Sequence, residues 1–408
     1  GAAGMMAAGR AAELGARVVL LEKNDSLGKK LKLTGGGRCN ITNAEFNVRA
    51  FLEKFPQAKK FLYSLFAQFS AKDTFSFFEN HGLPLIVETL GRAFPKSQKA
   101  LDVCKTLERY MKEHGVIVRL NAQVTGITQL NGAITAVETG KEILKARFFI
   151  LATGGIAAPE TGSTGDGFTF LKKLGHVVVK PSPNIVPLTT NTPWVKLLAG
   201  TTCAPVGLRF LQGEKTKIKK TGKILFTHFG ISGPLVLNSA YEVRELLLGG
   251  AVWASLDLFP NLEFHELDLR MRHLFEKNKN KLAKNVWGEL LPKALSAEIL
   301  SFPDLCIADK KVHSVTKEER RKLVHILKDL RFPISGTLGF EKAVITDGGV
   351  DLKEINWKTM QSRTYPNLFL LGDVLNINRP SGGYSLQLCW TTGFVAGTHI
   401  GKTLKDKK

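Results

Sequence analysis

The first 23 residues, "GAAGMMAAGRAAELGARVVLLEK", constrain the fold more than any other segment. A glycine-rich turn runs into a helix, and Gly15 separates that helix from an apolar run that ends in Glu22. A turn, a helix and a strand that ends in an acid form the second half of the dinucleotide-binding fingerprint. The segment therefore predicts an α/β fold that holds a nucleotide at the carboxyl ends of parallel strands.

Gly1 and Gly4 match the second and third glycines of that fingerprint. Gly1 would let the backbone approach a pyrophosphate, and Gly4 would let the helix pack closely on the sheet. Glu22 is placed to accept hydrogen bonds from ribose hydroxyls. We expect "GAAG" to be the second half of a GxGAAG turn whose strand and first glycine are missing from this sequence, which would weaken the grip on the pyrophosphate.

Helical and strand patterns alternate along the rest of the chain. We expect helices over 5–15, 46–80, 98–114 and 167–175 and from about 385, a strand over 16–23, and a three-stranded meander from 116. The phenylalanines of 46–80 recur at helical spacing, which predicts that they pack in a core. The composition changes between about 181 and 336, which indicates a block inserted into a single α/β domain.

The bulk composition narrows the class of protein. With 408 residues and 44% apolar residues, the chain can bury a sizeable core, and no stretch approaches the length of a membrane span. The five cysteines are widely spaced without a CxxC pair, which argues against a disulfide framework or a zinc site and favours the cytoplasm. We expect no metal and no membrane association, and the oligomeric state stays open.

The formal net charge of +21 is the unusual bulk property. It reflects either a basic proteome or a polyanionic partner, of which RNA fits best. The basic residues cluster in "KTKIKKTGK" (215–223), "KNKNKLAK" (277–284) and "KEERRK" (317–322). The aromatic residues form no stacking pattern, so we expect any RNA to be recognised by charge and shape.

Three further motifs belong to the nucleotide site. "FFILATGG" (148–155) and "LFLLGDV" (368–374) each end an apolar strand, and "PSGGYSLQ" (380–387) leads into the last helix. The carboxyl ends of such strands share one crevice. There Asp373 could hold a polyol, and the helix beginning near Ser385 would point its positive end at an anion. Together with the opening turn, these motifs indicate FAD.

At this point the sequence resembles the BaiN/RdsA family of bacterial FAD-dependent oxidoreductases, in "LKLTGGGRCNITN", "GRAFPKSQKALDV", "LATGGIAAPETGSTGDG" and "SRTYPNLFLLGDVLNINRPSGGYSLQ". The resemblance implies a glutathione-reductase-like FAD-binding Rossmann domain with inserted β-barrel and α-helical domains. It places the FAD-binding domain at 1–182 and 343–408, a barrel at 183–262 closed by about 331–342, and a helical domain at 263–330. Many family members carry Glu at the position of Asp373, which keeps the carboxylate.

The half-fingerprint, the motifs and the resemblance together give the residues expected to bind FAD. They are Gly1, Ala2, Ala3, Gly4, Glu22, Lys23, Lys30, Leu31, Thr34, Gly36, Gly37, Arg38, Cys39, Val124, Ala152, Thr153, Gly154, Gly155, Gly372, Asp373, Gly383, Tyr384, Ser385, Leu386 and Gln387. Arg38 either pairs with a phosphate or forms a surface salt bridge, and Tyr384 either stacks beside the flavin or fills the crevice.

The family is associated with reduction of carbon–carbon double bonds, in dehydro-bile acids and in a uridine of large-subunit ribosomal RNA. No second GxGxxG motif is present, so we expect NAD(P)H to act as a transient reductant of FAD. Cys39 and His228 are the candidate proton donors, and each is alternatively a structural residue. The expected function is an NAD(P)H-linked ene reductase for uridine in ribosomal RNA. The alternatives are a small-enone reductase and a non-catalytic, nucleotide-binding protein associated with RNA.

Overall fold

The computed structural model describes residues 1–305 and 307–406. The chain divides into two compact units, of which the first combines Gly1–Pro183 with Ala343–Lys408 and the second is Asn184–Lys342. The first unit therefore contains all of the predicted FAD residues, whereas His228 belongs to the second.

The elements follow one another in chain order. Up to the end of the first unit's first part they are α1 (Ala2–Glu13), β1 (Val19–Leu21), α2 (Lys29–Gly37), β2 (Thr42–Asn43), α3 (Val48–Leu52), α4 (Lys59–Phe66), α5 (Ala71–Asn80), β3 (Leu85–Glu88), β4 (Arg92–Pro95), α6 (Ala100–Glu113), β5 (Ile117–Arg119), β6 (Val124–Leu130), β7 (Ala133–Thr139), β8 (Ile143–Lys145), β9 (Phe149–Leu151), α7 (Asp166–Lys173) and β10 (Val178–Asn184). The second unit contains β11 (Leu188–Thr189), α8 (Pro193–Leu197), β12 (Thr202–Gln212), β13 (Lys215–Thr227), β14 (Gly230–Ser232), α9 (Pro234–Leu237), α10 (Ala240–Leu248), β15 (Val252–Asp257), α11 (Phe264–Lys277), α12 (Ala283–Val286), α13 (Lys293–Leu300), α14 (Lys317–Lys328), β16 (Leu330–Ile334) and β17 (Gly336–Thr337). The first unit then resumes with β18 (Ile345–Val350), β19 (Leu368–Leu370) and α15 (Tyr384–Lys405).

Parallel strand pairs form the framework of the first unit and confirm the predicted α/β class. Strand β1 pairs in parallel with β5, and β9 pairs in parallel with β19. The chain runs from α1 into β1, and Gly15, with φ of +94°, turns it between them, as the sequence predicts. Parallel strands of this kind put their carboxyl ends at one edge of the sheet, where ligands bind in α/β proteins.

The predicted meander is correct for its turns and wrong for its first and third strands, since the third is divided between β8 in the meander and β9, which pairs with β19. Strands β6, β7 and β8 form an antiparallel sheet, with Asn131 and Gly132 at positive φ in the first turn. The apolar run after 116, however, is divided between two sheets, because β5 pairs with β1 while β6 begins the meander. Periodicity identifies strands but does not identify their pairing partners.

Close packing between α1 and α15 fixes the position of the opening turn. A Cβ atom at Gly393 would lie 2.5 Å from the backbone oxygen of Ala3, and one at Gly397 would lie 2.7 Å from that of Ala7. These two glycines, one helical turn apart, therefore let the backbones of the two helices approach closely. The guanidinium of Arg10 covers the ring of Phe394 at 4.4 Å on the same contact.

The aromatic segment 46–80 packs in the core, as its spacing predicts. Phe51, Phe55, Phe66 and Phe78 are fully buried. The segment is not one helix, however, but the three helices α3, α4 and α5. The last of these begins with a capping box between Ser70 and Asp73, which is the local reason why a new helix starts there.

The second unit is built on an antiparallel sheet of seven strands in the order β16-β15-β12-β13-β14-β11-β17. Its two edge strands, β16 and β17, are separated in sequence by Ser335 alone. The sheet therefore curls until its edges meet at that residue, whose nitrogen donates to the oxygen of Thr189 at 2.8 Å.

Helices α11 to α14 make up the charged part of the second unit. Asp268 of α11 accepts from the guanidinium of Arg320 on α14 at 2.7 Å, and both side chains are largely buried. The hydrogen bond from Arg320 holds the pKa of Asp268 below its usual value. Across the described residues, none of the helices is long and apolar enough to cross a membrane.

Candidate active site

The carboxyl ends of β1, β9 and β19 lie at the start of helix α1. A Cβ atom at Gly4 would meet the Cβ of Ala152, which follows β9, at 3.4 Å. One at Gly372, which follows β19, would meet the Cβ of Ala3 at 3.3 Å. The opening turn, the ATGG motif and the GD motif therefore surround one crevice, as the sequence motifs predict.

Two helix N-termini are free of side-chain caps at this crevice. Helix α1 begins after Gly1 and helix α15 after Gly383, and neither glycine provides a capping side chain. The first amides of a helix have no partner within it, and its N-terminus carries a partial positive charge. Both ends are therefore available to an anionic ligand.

A buried ion pair connects the GD motif with the start of α15. The guanidinium of Arg379 donates to Asp373 Oδ1, to the oxygen of Ile377 at 2.6 Å and to Ser385 Oγ at 2.9 Å. The Arg379 side chain is fully buried. Asp373, expected to hold a polyol, thus accepts a hydrogen bond from a residue that the sequence analysis did not single out.

A second cation lies beside this ion pair. Lys30 Nζ is buried and has no hydrogen-bond partner within residues 1–305 and 307–406. Burial lowers the pKa of Lys30, and the nearby charge of Asp373 raises it again in part. The thiol of Cys389 lies near the same ammonium, and burial raises the pKa of Cys389 to about 12, so the thiol is neutral.

These residues fit the anionic cofactor that the sequence predicts. The buried Nζ of Lys30 and the buried guanidinium of Arg379 lie near one carboxylate, that of Asp373, which is 14% exposed. A buried charge without a partner is costly, so a buried ammonium indicates that a ligand anion belongs beside it. The uncapped starts of α1 and α15 favour the same charge. FAD would supply such anions through its diphosphate and, when reduced, through its flavin ring.

The TGGGRCN and SGGYSLQ motifs pack directly against each other. Thr42 Oγ1 donates to Gln387 Oε1 at 2.6 Å, and Trp390 Nε1 donates to the oxygen of Ile41 at 2.9 Å. A Cβ at Gly383 would lie 2.3 Å from the carbonyl carbon of Thr42, and Gly383 has φ of +100°. Only glycine fits at this contact, which sets the position at which α15 begins.

Glu22 lies at the end of β1 next to the opening turn. Its Oε2 is 3.7 Å from the nitrogen of Gly1, and its Oε1 accepts from the backbone and the amide of Asn24 at 3.0 and 2.9 Å. Lys23 instead extends to Asp166 Oδ2 at 2.8 Å and to Thr164 Oγ1 at 2.5 Å. The structure therefore orients Glu22 toward the crevice, whereas Lys23 has partners within the protein.

Arg38 has polar and aromatic partners within the first unit. Its Nη1 donates to Glu88 Oε1 at 2.9 Å and to Gln98 Oε1 at 3.0 Å, and the guanidinium covers the ring of Phe94 at 4.2 Å. This is the salt bridge that the sequence left as one of two alternatives. A phosphate contact for Arg38 stays a prediction.

Cys39 is completely buried and has a φ of +63°, a value that is uncommon for a residue with a side chain. Burial raises the pKa of its thiol to about 12. Its backbone nitrogen donates to the oxygen of Thr34 at 2.9 Å across the three glycines of the loop. The thiol therefore stays protonated and shielded from water near neutral pH.

The remaining predicted residues occupy varied environments. Tyr384 packs edge-on against Phe51, with ring centroids 4.9 Å apart, within an aromatic cluster. Leu31, Gly155 and Gln387 are buried; Thr34, Gly154 and Leu386 are half-buried; Gly36, Gly37 and Thr153 are exposed. Val124 begins β6, two residues after Ala122, whose nitrogen donates to the oxygen of Glu22 at 2.9 Å.

His228 lies in the tight turn between β13 and β14 of the second unit. Its side chain is exposed, and its ring meets that of Phe229 edge-on at 4.8 Å. A role as proton donor stays a prediction. Within the described residues, no group of three or more His, Cys, Asp and Glu side chains could hold a metal ion.

A known family profile covers almost the whole chain. The family is described as "HI0933-like protein Rossmann domain", and it matches residues 1–399. The chain belongs to this HI0933-like family. This membership agrees with the Rossmann-type arrangement of α1, β1 and the parallel strands, and with the resemblance carried by the TGGGRCN and SGGYSLQ motifs.

Curated relatives of this HI0933-like chain span nearly its whole length. A protein named "Ribosomal RNA dihydrouridine synthase" from Haemophilus influenzae is 27% identical, over 98% of this chain and 97% of its own length. A protein of the same name from Escherichia coli is 28% identical, over 98% of this chain and 96% of its own length. A "3-dehydro-bile acid delta(4,6)-reductase" from Clostridium scindens is 28% identical and covers 97% of the chain and 96% of its own length.

Solved structures share the fold at low sequence identity. The 3-ketosteroid-delta4-(5alpha)-dehydrogenase from Rhodococcus jostii superimposes with a TM-score of 0.53 at 13% identity, over 98% of this chain and 95% of its own. The open conformation of a flavocytochrome c3 fumarate reductase gives 0.51 at 17% identity, over 98% of this chain and 77% of its own. Both similarities concern the fold alone.

Proposed function

We propose that this chain is an FAD-dependent oxidoreductase that reduces the C5=C6 bond of a uridine in ribosomal RNA, with NAD(P)H as the transient reductant. One observation carries the proposal: two curated relatives with nearly complete mutual coverage bear the name of that activity. The positive crevice at the strand ends supplies a fitting cofactor site, and the net charge of +21 fits a polyanionic substrate.

The residues of the crevice would divide the binding of FAD between them. The first amides of α1 and the small residues Gly1 and Gly4 suit the diphosphate, and Glu22 suits the adenosine ribose. Asp373 accepts a hydrogen bond at one oxygen from Arg379, which leaves its other oxygen for a hydroxyl. Bound FAD would supply hydride transfer to an electron-poor double bond, which the protein's side chains cannot provide.

The proton that completes the reduction must come from a residue near the substrate or from water. Cys39 stays a candidate because its loop contacts the start of α15 through Thr42 and Gln387. Its burial argues for a structural role, since an efficient general acid has a pKa near the working pH.

The deciding experiment is nucleoside mass spectrometry of ribosomal RNA from a strain that lacks the gene. We expect one dihydrouridine to disappear and to return when the gene is supplied in trans. Complementation with Asp373→Leu, which removes the carboxylate of the crevice, should not restore it. Unchanged dihydrouridine in the deletion strain would contradict the RNA substrate and leave the flavoprotein assignment standing.

A small-enone reductase is the second candidate. The bile-acid reductase from Clostridium scindens is as similar to this chain as the ribosomal RNA enzymes are. A purified protein that is yellow, is bleached by NAD(P)H and is reoxidised by a conjugated steroid enone would favour this candidate. Reoxidation by uridine-containing RNA, but not by the enone, would favour the first.

A further inference from the structure

One face of strand β13 carries a row of lysines. Its burial alternates with a period of two, so that Ile224 and Phe226 are buried while Lys217, Lys219 and Lys223 are exposed. Side chains of a strand alternate between its two faces, so these three lysines share the outer one. We call them the lysine row; at about 3.4 Å per residue it extends over about 20 Å.

The inner face of the same strand is covered by helices. Lys220 points inward, where its Nζ donates to Glu242 of α10 at 2.9 Å and to the oxygen of Asn238 at 3.2 Å. A Cβ at Gly222 would meet Leu235 of α9 at 3.4 Å. The two faces of β13 therefore differ: the inner lysine is paired, and the outer ones are exposed.

Acidic residues near the lysine row form ion pairs with arginines. Asp329 accepts from Arg209 at 3.0 Å and from Arg331 at 2.9 Å, and Arg331 also pairs with Glu214 at 3.2 Å. The lysine row has no ion-pair partner among residues 1–305 and 307–406. Lys219 even stands directly opposite Arg209 in the register of β12 and β13, and like charges in that position destabilise a sheet.

The other two basic clusters of the sequence each contain a residue that is held in an ion pair. Lys310 pairs with Glu319, which lies inside the cluster at 317–322, and Arg320 of that cluster pairs with Asp268. Lys284 of the cluster at 277–284 pairs with Asp309 at 2.6 Å. Lys277, Lys279 and Lys281 are exposed as well, but they lie at and beyond the end of α11, whereas the lysine row lies on one face of a single strand.

An exposed tryptophan lies on the same face. Trp253 on β15 is 42% exposed, and it stands two residues before Ser255, whose register partner on β12 is Arg209. Residues two apart on a strand share a face, so Trp253 lies on the face of Arg209 and Lys219. The spacing of the aromatic residues along the sequence does not predict this aromatic side chain beside the lysines.

We propose that the lysine row, with Arg209 and Trp253, is the surface on which the second unit binds single-stranded RNA. The lysines would neutralise successive phosphates, and the indole would stack on a base, which together are the usual elements of a single-strand surface. The choice of RNA as the polyanion rests on the proposed function. The location of the surface rests on the exposed lysines of one strand face and on the exposed Trp253 that shares it.

The test compares two triple variants that remove the same charge. Lys217→Gln, Lys219→Gln and Lys223→Gln are combined in one, and Lys277→Gln, Lys279→Gln and Lys281→Gln in the other. Binding of a labelled oligouridine is measured against salt, where each lost phosphate contact lowers the log–log slope by about 0.7. We expect the lysine-row variant to lose about two units of slope and the control variant to keep the wild-type slope.

Trp253→Leu provides a second measurement. Loss of base stacking should weaken oligouridine binding by about 5- to 150-fold without changing the salt slope, because about 1–3 kcal/mol is lost per stacked base. Equal effects of the two triple variants would overturn the proposal, since net charge alone would then explain binding. Displacement of oligouridine by poly-glutamate at the same charge concentration would also overturn it, because the surface would then suit an acidic peptide.

This surface and the proposed function can fail separately. Absence of dihydrouridine activity, together with RNA binding that depends on the lysine row, would refute the function and support the surface. Dihydrouridine formation by a lysine-row variant with wild-type RNA affinity would refute the surface and support the function. Thermal melting of both triple variants should match that of the wild type, since all six lysines are exposed.

Discussion

Arg379 and Asp373 form a buried ion pair in which the arginine side chain has no exposure to solvent. The same guanidinium holds Ser385 Oγ, so a single residue fixes the GD motif relative to the first turn of α15. Lys30 Nζ lies near this pair without a hydrogen-bond partner in the described part of the chain. The crevice therefore has an excess of buried positive charge before any ligand binds.

Removing one member of this pair should destabilise the protein strongly. We expect Arg379→Met to lower the free energy of unfolding by about 3–5 kcal/mol, because it leaves the Asp373 carboxylate buried without its main partner. Arg119→Met is the matched control, since its pair with Glu142 is exposed and should contribute at most about 1 kcal/mol. Urea denaturation of the full chain measures the free energy of unfolding of both variants. Equal decreases in the two variants would contradict the strong contribution of the buried pair.

Lys30→Met should have opposite effects on the protein without cofactor and on cofactor binding. Without a ligand, the substitution removes a buried and unpaired charge, so the free energy of unfolding should rise. With FAD, it removes a charge-assisted contact, so the FAD dissociation constant should rise by about tenfold or more. Lys29→Met, which affects an exposed pair with Asp25, should change neither quantity appreciably.

The same lysine predicts a pH dependence of stability. Burial places the pKa of folded Lys30 below its usual value of 10.5, so the unfolded state binds more protons between the two values. The free energy of unfolding of the wild type should therefore increase as the pH rises through this range toward 10.5. Lys30→Met should lack that gain, and its advantage over the wild type should shrink with rising pH. A constant difference across the alkaline range would contradict this origin.

The sequence predicted which motifs form the crevice, but it did not predict which charged side chains are buried there. Gly1, Gly4, Glu22 and Asp373 follow from the spacing of turn, helix and strand, and the structure brings all four to the strand ends. Arg379 was missed, although it stands midway between Asp373 and Ser385, because the sequence does not show which arginine becomes buried. The pairing of β5 with β1, and not with the meander, was also missed, because the sequence does not show which strands pair.

The contact between Thr42 and Gln387 could not be predicted from the sequence either. These residues are 345 positions apart, and no periodicity connects them. Helix boundaries were off by a few residues, as at α1, which begins at Ala2 and not at residue 5. The division of the second unit into barrel and helical domains stays a prediction.

The contact of α1 with α15 should be sensitive to a single methyl group. We expect Gly397→Ala to cost about 1–3 kcal/mol of unfolding free energy, because the new Cβ would lie 2.7 Å from the backbone oxygen of Ala7. Gly140→Ala, where nothing lies within 4 Å of the added atom, should change stability by no more than about 0.5 kcal/mol. If the two variants unfold alike, the helices are not in the described contact.

Cys39→Ser should retain most of the turnover. The thiol is completely buried, and its pKa of about 12 lies far above the neutral range in which a general acid works best. A positioned acid contributes about 10²–10⁴-fold, so a rate loss well below tenfold would exclude Cys39 as the proton donor. The measurement is the rate of reoxidation of the reduced enzyme by its substrate over pH 6–9, where Cys39 should cause no inflection. A loss of about a hundredfold or more, with FAD affinity unchanged, would assign the proton to Cys39 despite its burial.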